Sequence, residues 1–284
     1  MKKIVTLLIG IFLFVSLFAQ EKKDTTYWKT GGMFSVNFNQ ISFTNWAAGG
    51  LNSVSGVAKA QYSANYLKAN ISWDNLLDLG YGLSKVQGLV VQKNEDVINL
   101  ESKLGIKAAN KWFYSGMLNF KSQFAPGYSD KENKNLISNF LSPAYLFLSV
   151  GMDYKPSGKF SLMLSPLTGK ITIVTDDSLR ANYGVDVDKV ARPEFGAYLK
   201  SSLNTEIVKN VGLLTELGLF SNYLKDPEKV DVDWKVAINM KVNKYISAQL
   251  GTNLIYDYDI KDPVDGKAKV QFKELFGVGF SFKF

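Results

Sequence analysis

The stretch "VDVDWKVAINMKV", residues 230–242, decides the fold. Val230, Val232, Trp234, Val236, Ile238, Met240 and Val242 fall on one face of an extended chain. Asp231, Asp233, Lys235, Ala237, Asn239 and Lys241 fall on the other. A helix turns about 100° per residue and would scatter both sets around its circumference, whereas a strand places alternate residues on opposite sides. Residues 230–242 therefore read as a strand with one apolar and one charged face.

The same period of two recurs at residues 33–39, 54–66, 69–83, 98–108, 112–124, 146–154, 160–166, 195–207, 211–223, 246–258 and 270–284. With 230–242 these make about twelve strands, most of them near or above the 9–11 residues that a tilted transmembrane strand needs. Tight joins at 67–68, 109–111, 155–159, 209–210 and 243–245 alternate with longer ones rich in Gly, Pro, Asn and charge at 40–53, 84–96, 125–143, 165–194, 224–229 and 259–267. An even strand count with short turns at one end and long loops at the other is the pattern of an outer-membrane barrel. Lipid requires an apolar outer face, a lumen tolerates polar side chains, and closure leaves no unpaired edge in hydrocarbon. The expected fold is all-β: a single closed antiparallel transmembrane β-barrel.

Aromatic residues near strand ends, including Tyr62, Tyr66, Tyr81, Trp112, Tyr154 and Tyr223, suit interfacial girdles. The final strand alternates to Phe284, so Phe280, Phe282 and Phe284 read both as its lipid face and as the signal that barrel-assembly machinery recognises.

Composition agrees with an exported barrel. The chain has 284 residues, 46% hydrophobic, with net charge +7 and no cysteine. Lys2 and Lys3 precede an apolar run at 4–18, and "SLFAQ" offers cleavage after Ala19. Residues 1–19 thus read as a signal peptide and 20–284 as the barrel. With no cysteine near the cut, lipoprotein processing is excluded. The positive charge is dispersed, so no nucleic-acid partner is expected.

The blocks "WKTGGMFSVNFNQISFTNWAAGGLNSVSG", "SWDNLLDLGYG", "GYSDKENKNLISNFLSPAYLFLSVGMDY", "SPLTGKITIV" and "KELFGVGFSFKF" cover much of the chain. In these blocks the chain resembles a family of uncharacterised outer-membrane proteins of the Bacteroidota. That resemblance implies a barrel in the outer membrane of a Gram-negative bacterium, and it carries no activity or catalytic residues to transfer.

The absence of both histidine and cysteine removes zinc and copper sites and the Ser-His and Cys-His nucleophilic pairs. No enzyme activity and no cofactor are expected. Alternation aims Lys59, Asp74, Asp78, Glu101, Lys103, Lys121, Glu206, Glu216, Asp231, Asp233 and Lys235 into the lumen, with charges of both signs that read as a paired lining rather than catalytic acids. Glu194, Lys107, Lys200, Lys241 and Lys273 read the same way, and Ser55, Ser63, Gly105, Ser115, Ser149, Gly251, Gly277 and Gly279 leave room between them.

Asp257, Asp259, Asp262 and Asp265 read as solvated loop acids, and they do not match the EF-hand pattern. "SPLTGK" at 165–170 lacks the first glycine and the strand-to-helix setting of a phosphate loop. In "NWAAGG", Asn45, Trp46, Gly49 and Gly50 form a candidate interaction element or a plug for the barrel rim.

Two functions fit this lining and these loops. One is a passive channel for small polar solutes with weak ion selectivity. The other is a non-conducting barrel that binds an envelope protein through its loops. Partners common to both are outer-membrane lipid and the assembly machinery.

Overall fold

A computed structural model describes residues 27–42, 51–130, 132–261 and 265–284. The expected signal segment, Asp262 and the element containing Asn45, Trp46, Gly49 and Gly50 lie outside the described residues.

The chain closes into one antiparallel barrel of twelve strands. These are β1 (Trp28–Ile41), β2 (Ser53–Lys68), β3 (Ile71–Val86), β4 (Gln92–Ala109), β5 (Trp112–Ser122), β8 (Ala144–Ser157), β9 (Phe160–Ile173), β10 (Ala191–Val208), β11 (Val211–Asn222), β12 (Asp231–Lys241), β13 (Ile246–Tyr256) and β14 (Gln271–Lys283). The loop after β5 carries a small hairpin, β6 (Gly127–Tyr128) with β7 (Leu136–Ser138). Each barrel strand pairs with its neighbours in sequence, and β14 pairs with β1. The main chain of Phe284 exchanges both hydrogen bonds with Gly32 beyond the last ladder pair.

The strands outrun the sequence periodicity at the loop end. The expected loop at 84–96 is mostly strand, because β3 runs to Val86 and β4 starts at Gln92. The expected loop at 165–194 shrinks to residues 174–190, because "LTGKITI" continues β9. Two short 3-10 turns, Asp177–Leu179 and Ala181–Tyr183, shape what remains, the first capped by the Asp176 carboxylate accepting from Ser178 N–H at 3.1 Å.

A bulge explains why only the first half of β9 shows in the sequence periodicity. Val150 pairs with Leu167 and Met152 with Leu164, so β9 carries one residue more than β8 across this span, and β10 shows the matching shift between Gly196 and Tyr198. The extra residue flips the strand's parity: Met163 and Ser165 face inward before it, Thr168, Lys170 and Thr172 after it, all nearly fully buried. Pro166 sits where a ladder N–H is dispensable. The hydroxyls of Ser165 and Thr168 lie 2.9 Å apart, and Thr168 donates to Ser149 at 3.0 Å.

Two glycines beside the bulge admit close backbone approach, Gly151 of β8 toward β9 and Gly196 of β10 toward β11. A Cβ at Gly151 would lie 2.1 Å from the Leu164 carbonyl oxygen, and one at Gly196 would lie 1.9 Å from that of Ser221. Both contacts are with backbone, so they cannot be relieved by a side-chain rotation. We expect Gly151→Ala to lower stability by about 1–3 kcal/mol or more, read as a shifted urea midpoint for the refolded barrel.

The outward face is apolar. Phe34 and Phe38 of β1, Leu148 and Val150 of β8, and Phe272, Phe276, Phe280 and Phe282 of β14 are exposed on it. Trp28 packs on Tyr66 and Trp73 at ring-centroid distances of 5.2 and 5.5 Å, and Trp112 packs on Tyr154 at 4.8 Å, at the tight-turn end. Polar groups accompany them: Trp73 donates its indole N–H to Ser102 at 2.9 Å.

Inside, Met117, Met163, Tyr198 and Phe220 form an apolar cluster with Phe147 against one wall of the lumen. At the loop end Val174, Leu179 and Val185 pack with Leu136 and Tyr183, fastening the β9–β10 loop to the small hairpin. Tyr183 donates its hydroxyl to the Ile137 carbonyl at 2.7 Å, and burial pushes its phenol up to about 12.

Candidate functional site

The lumen is bridged by charged side chains from strands that are not neighbours. Lys121 of β5 reaches Asp233 of β12 at 2.5 Å, linking strands five places apart in the ring of twelve. Lys200 of β10 pairs with Glu101 of β4, and Lys155 of β8 with Asp74 of β3. Lys103 of β4 meets the fully buried Asp153 of β8 at 2.7 Å. Glu95 of β4 receives two cations, Lys273 of β14 at 2.9 Å and Lys59 of β2 at 3.4 Å.

Most of the expected lining residues therefore do face the lumen, as members of specific pairs. Lys59, Asp74, Glu101, Lys103, Lys121, Asp231 and Asp233 are all ion-paired. Glu216 and Lys235 border a small cavity of about 20 Å³ with Glu101, Lys121, Lys200 and Asp233. Asp78 lies half-buried on the inner face of β3, opposite Gln61 of β2. Glu206 lines the turn-side end of the lumen, where its carboxylate accepts from the Asn210 N–H at 2.7 Å and closes the β10–β11 turn.

Sequence periodicity missed the largest charge cluster. Lys170 is almost fully buried and lies 2.6 Å from Asp231, 3.0 Å from Asp257 and 3.5 Å from Glu194. Arg192 adjoins Glu194 at 3.2 Å and pairs with Asp259, which also meets Lys225 at 3.2 Å. Asp257 is thus a buried ion-pair member and Asp259 a half-buried one, which corrects their assignment as solvated acids. Asp265 does sit in an exposed pair, 3.0 Å from Lys269. Glu95, Asp153 and Lys155 were missed as well, because they lay in or beside segments expected to be loop or turn.

Asp259 lies beyond the end of β13 and shows how this cluster ties the loops. Burial alone would raise its carboxyl, but Arg192 and then Lys225 outweigh that and hold it below the ordinary aspartate value. A depressed folded value gives stability that is present above the unfolded value and is lost as pH falls through the folded one. The tie should therefore be intact at about pH 5 and release only below about pH 4. An acid-active protease should spare the loop after β13 at the higher pH and cut it at the lower, and Asp259→Asn should move cutting to the higher pH.

Two larger cavities lie on either side of the bridged middle. The loop-side one, about 340 Å³, is walled by Tyr145, Phe147, Tyr198 and Phe220 together with Lys121, Lys170, Asp231 and Asp233. The turn-side one, about 910 Å³, is walled by polar and small residues such as Gln61, Ser63, Asn204, Asn239 and Gln249. Among the described residues no group of three or more acids forms a metal-binding cluster. The lining offers paired charges, amides and aromatic rings, which suit transient contact with small polar molecules.

A family model for a protein of unknown function, DUF3078, matches residues 38–128. No curated protein sequence matches the chain. Among solved structures the chain is similar to an outer-membrane channel from Pseudomonas putida F1, with 12% identity, TM-score 0.40, and coverage of 93% of this chain and 100% of that one. It is also similar to the translocator domain of autotransporter NalP from Neisseria meningitidis, with 10% identity, TM-score 0.39, and coverage of 98% and 95%. A third is the β domain of the Bordetella autotransporter BrkA, with 11% identity, TM-score 0.31, and coverage of 90% and 98%.

Proposed function

We propose that the protein is an outer-membrane barrel whose lumen passes small polar solutes through an ion-paired constriction. One observation carries this: the groups that separate the 340 Å³ and 910 Å³ cavities are side chains of barrel strands, such as Lys121–Asp233 and Lys200–Glu101. Side chains can exchange partners with a passing solute, and charges of both signs give weak net selectivity. The apolar outer face and the aromatic residues at the turn end support insertion in a bilayer. Phe280 and Phe282 project from the last strand and Phe284 is hydrogen-bonded to β1, an arrangement suited to recognition by assembly machinery. Neither a cofactor nor an enzymatic step belongs to this function.

The test is single-channel conductance of the refolded protein in a planar bilayer. Steady small steps with a reversal potential near zero are expected. Electrical silence at every voltage would instead favour the non-conducting barrel, which exposes Val187, Val190 and Leu224 on its loops for an envelope partner.

A further inference from the structure

The ladder between β1 and β14 stops early. Six residue pairs form the ladder, from Met33 with Lys283 up to Phe38 with Val278, and among the described residues none lies above Phe38. Both strands continue. Asn39, Gln40 and Ile41 stay paired to β2, and residues 271–277 stay paired to β13 up to Ile255. Each strand is held on its far side, and among the described residues, 39–41 and 275–277 do not pair across the seam.

The lower seam shows why pairing is tight there. A Cβ on Gly279 would lie 2.1 Å from the Val36 carbonyl oxygen, so the two backbones approach closely only because this residue is glycine. One step higher the Asn37 side chain lies over Gly277 and donates to Gln249 at 3.3 Å. The ladder ends just above this amide. Asn37 is 5% exposed, yet its Oδ1 has no hydrogen-bond partner, and neither has the buried Nε2 of Gln249.

A narrow cavity of about 60 Å³ occupies this point. Its walls include the inward-facing Asn37, Val57, Lys59, Gly251 and Gly277 and also Phe38 and Phe276, which face outward and are well exposed. The cavity is thus lined from both faces of the barrel wall.

Main-chain groups without a strand partner are costly in hydrocarbon, so such a gap persists where another polar group can meet them. We propose that the upper β1–β14 seam is a lateral port that binds a single-chain amphiphile with an anionic head. This rests on the chain being embedded in a bilayer. The tail lies against the exposed rings of Phe38 and Phe276, and the narrowness of the cavity, about 60 Å³, favours one alkyl chain over two. The head reaches the open amides of Asn37 and Gln249 and the two ammonium groups, Lys59 and Lys273, that share the single carboxylate of Glu95.

The protein has no native cysteine, which makes the test clean. Continuing the register would set Gln40 opposite Phe276, so Gln40→Cys with Phe276→Cys can be bridged by a disulfide or, across a wider gap, by a short bifunctional thiol reagent. Ser35→Cys with Ser281→Cys bridges the closed part of the same seam as a control. The probe is dansyl-undecanoate, titrated by fluorescence into protein in nanodiscs. Bridging the upper pair should weaken binding about tenfold or more and reduction should restore it, while the control bridge changes nothing.

Lys59→Gln with Lys273→Gln should weaken dansyl-undecanoate severalfold and leave the matching uncharged alcohol unaffected. Equal binding by bridged and unbridged protein, or no saturable binding to the wild type, would overturn the port. Conductance recorded on the same preparation keeps that failure separate from failure of the channel function.

Discussion

Replacing Lys170 by methionine should destabilise the barrel by about 3–5 kcal/mol, the range expected when one partner of a buried ion cluster is removed. Lys170 is the common cation of Asp231, Asp257 and Glu194, and its side chain is 3% exposed. Methionine fills a similar volume but leaves three carboxylates facing one another, with Arg192 close to only part of the group. The loss falls on strands β9, β10 and β12 and on the β13–β14 loop together, so it should appear as a cooperative shift of the urea midpoint and not as local fraying. Lys189→Met supplies the contrast. Lys189 and Asp186 pair at 2.6 Å with both side chains about two-thirds exposed, and an exposed pair contributes about 0–1 kcal/mol. A loss of the same size in both variants would mean that burial does not set the energetics here.

How much of this was legible in the sequence follows from parity. Where a strand runs without a bulge, as in β12, alternation assigned every inward residue: Asp231, Asp233 and Lys235 lie on the lumen side. At β9 the bulge near Pro166 reverses the sides, so Lys170 was read in a loop although it is among the most buried charges in the protein. Glu95 was hidden differently. "QKNED" is too polar to resemble a membrane strand, because β4 extends beyond the apolar band, where hydropathy no longer marks faces. The closure of β14 on β1 was readable from the alternation of Phe276, Val278, Phe280 and Phe282, since an apolar outer face places this strand in the wall of the barrel. The unpaired upper seam had no sequence signal, because pairing extent depends on how twelve strands share shear around a ring and not on the residues of either strand alone.

The same logic separates which pair sets the width of the lumen from which pair sets its charge preference. Lys200 and Glu101 reach toward each other from strands four places apart, and both border the small cavity next to Lys121 and Asp233. Removing both with Lys200→Ala and Glu101→Ala deletes two long side chains without leaving an unpaired charge, so single-channel conductance should rise about threefold or more with little change in reversal potential. The single replacements should behave differently from the double and oppositely from each other. Lys200→Ala leaves the Glu101 carboxylate facing the path and should shift the reversal potential toward cation preference. Glu101→Ala leaves the ammonium and should shift it toward anions. Unchanged conductance in the double variant, together with single variants that shift in the same direction, would place the solute path elsewhere than between the two cavities. Opposite shifts with a larger double-variant conductance would tie ion flow to the charged middle of the barrel, where the strands of opposite walls come within reach of one another.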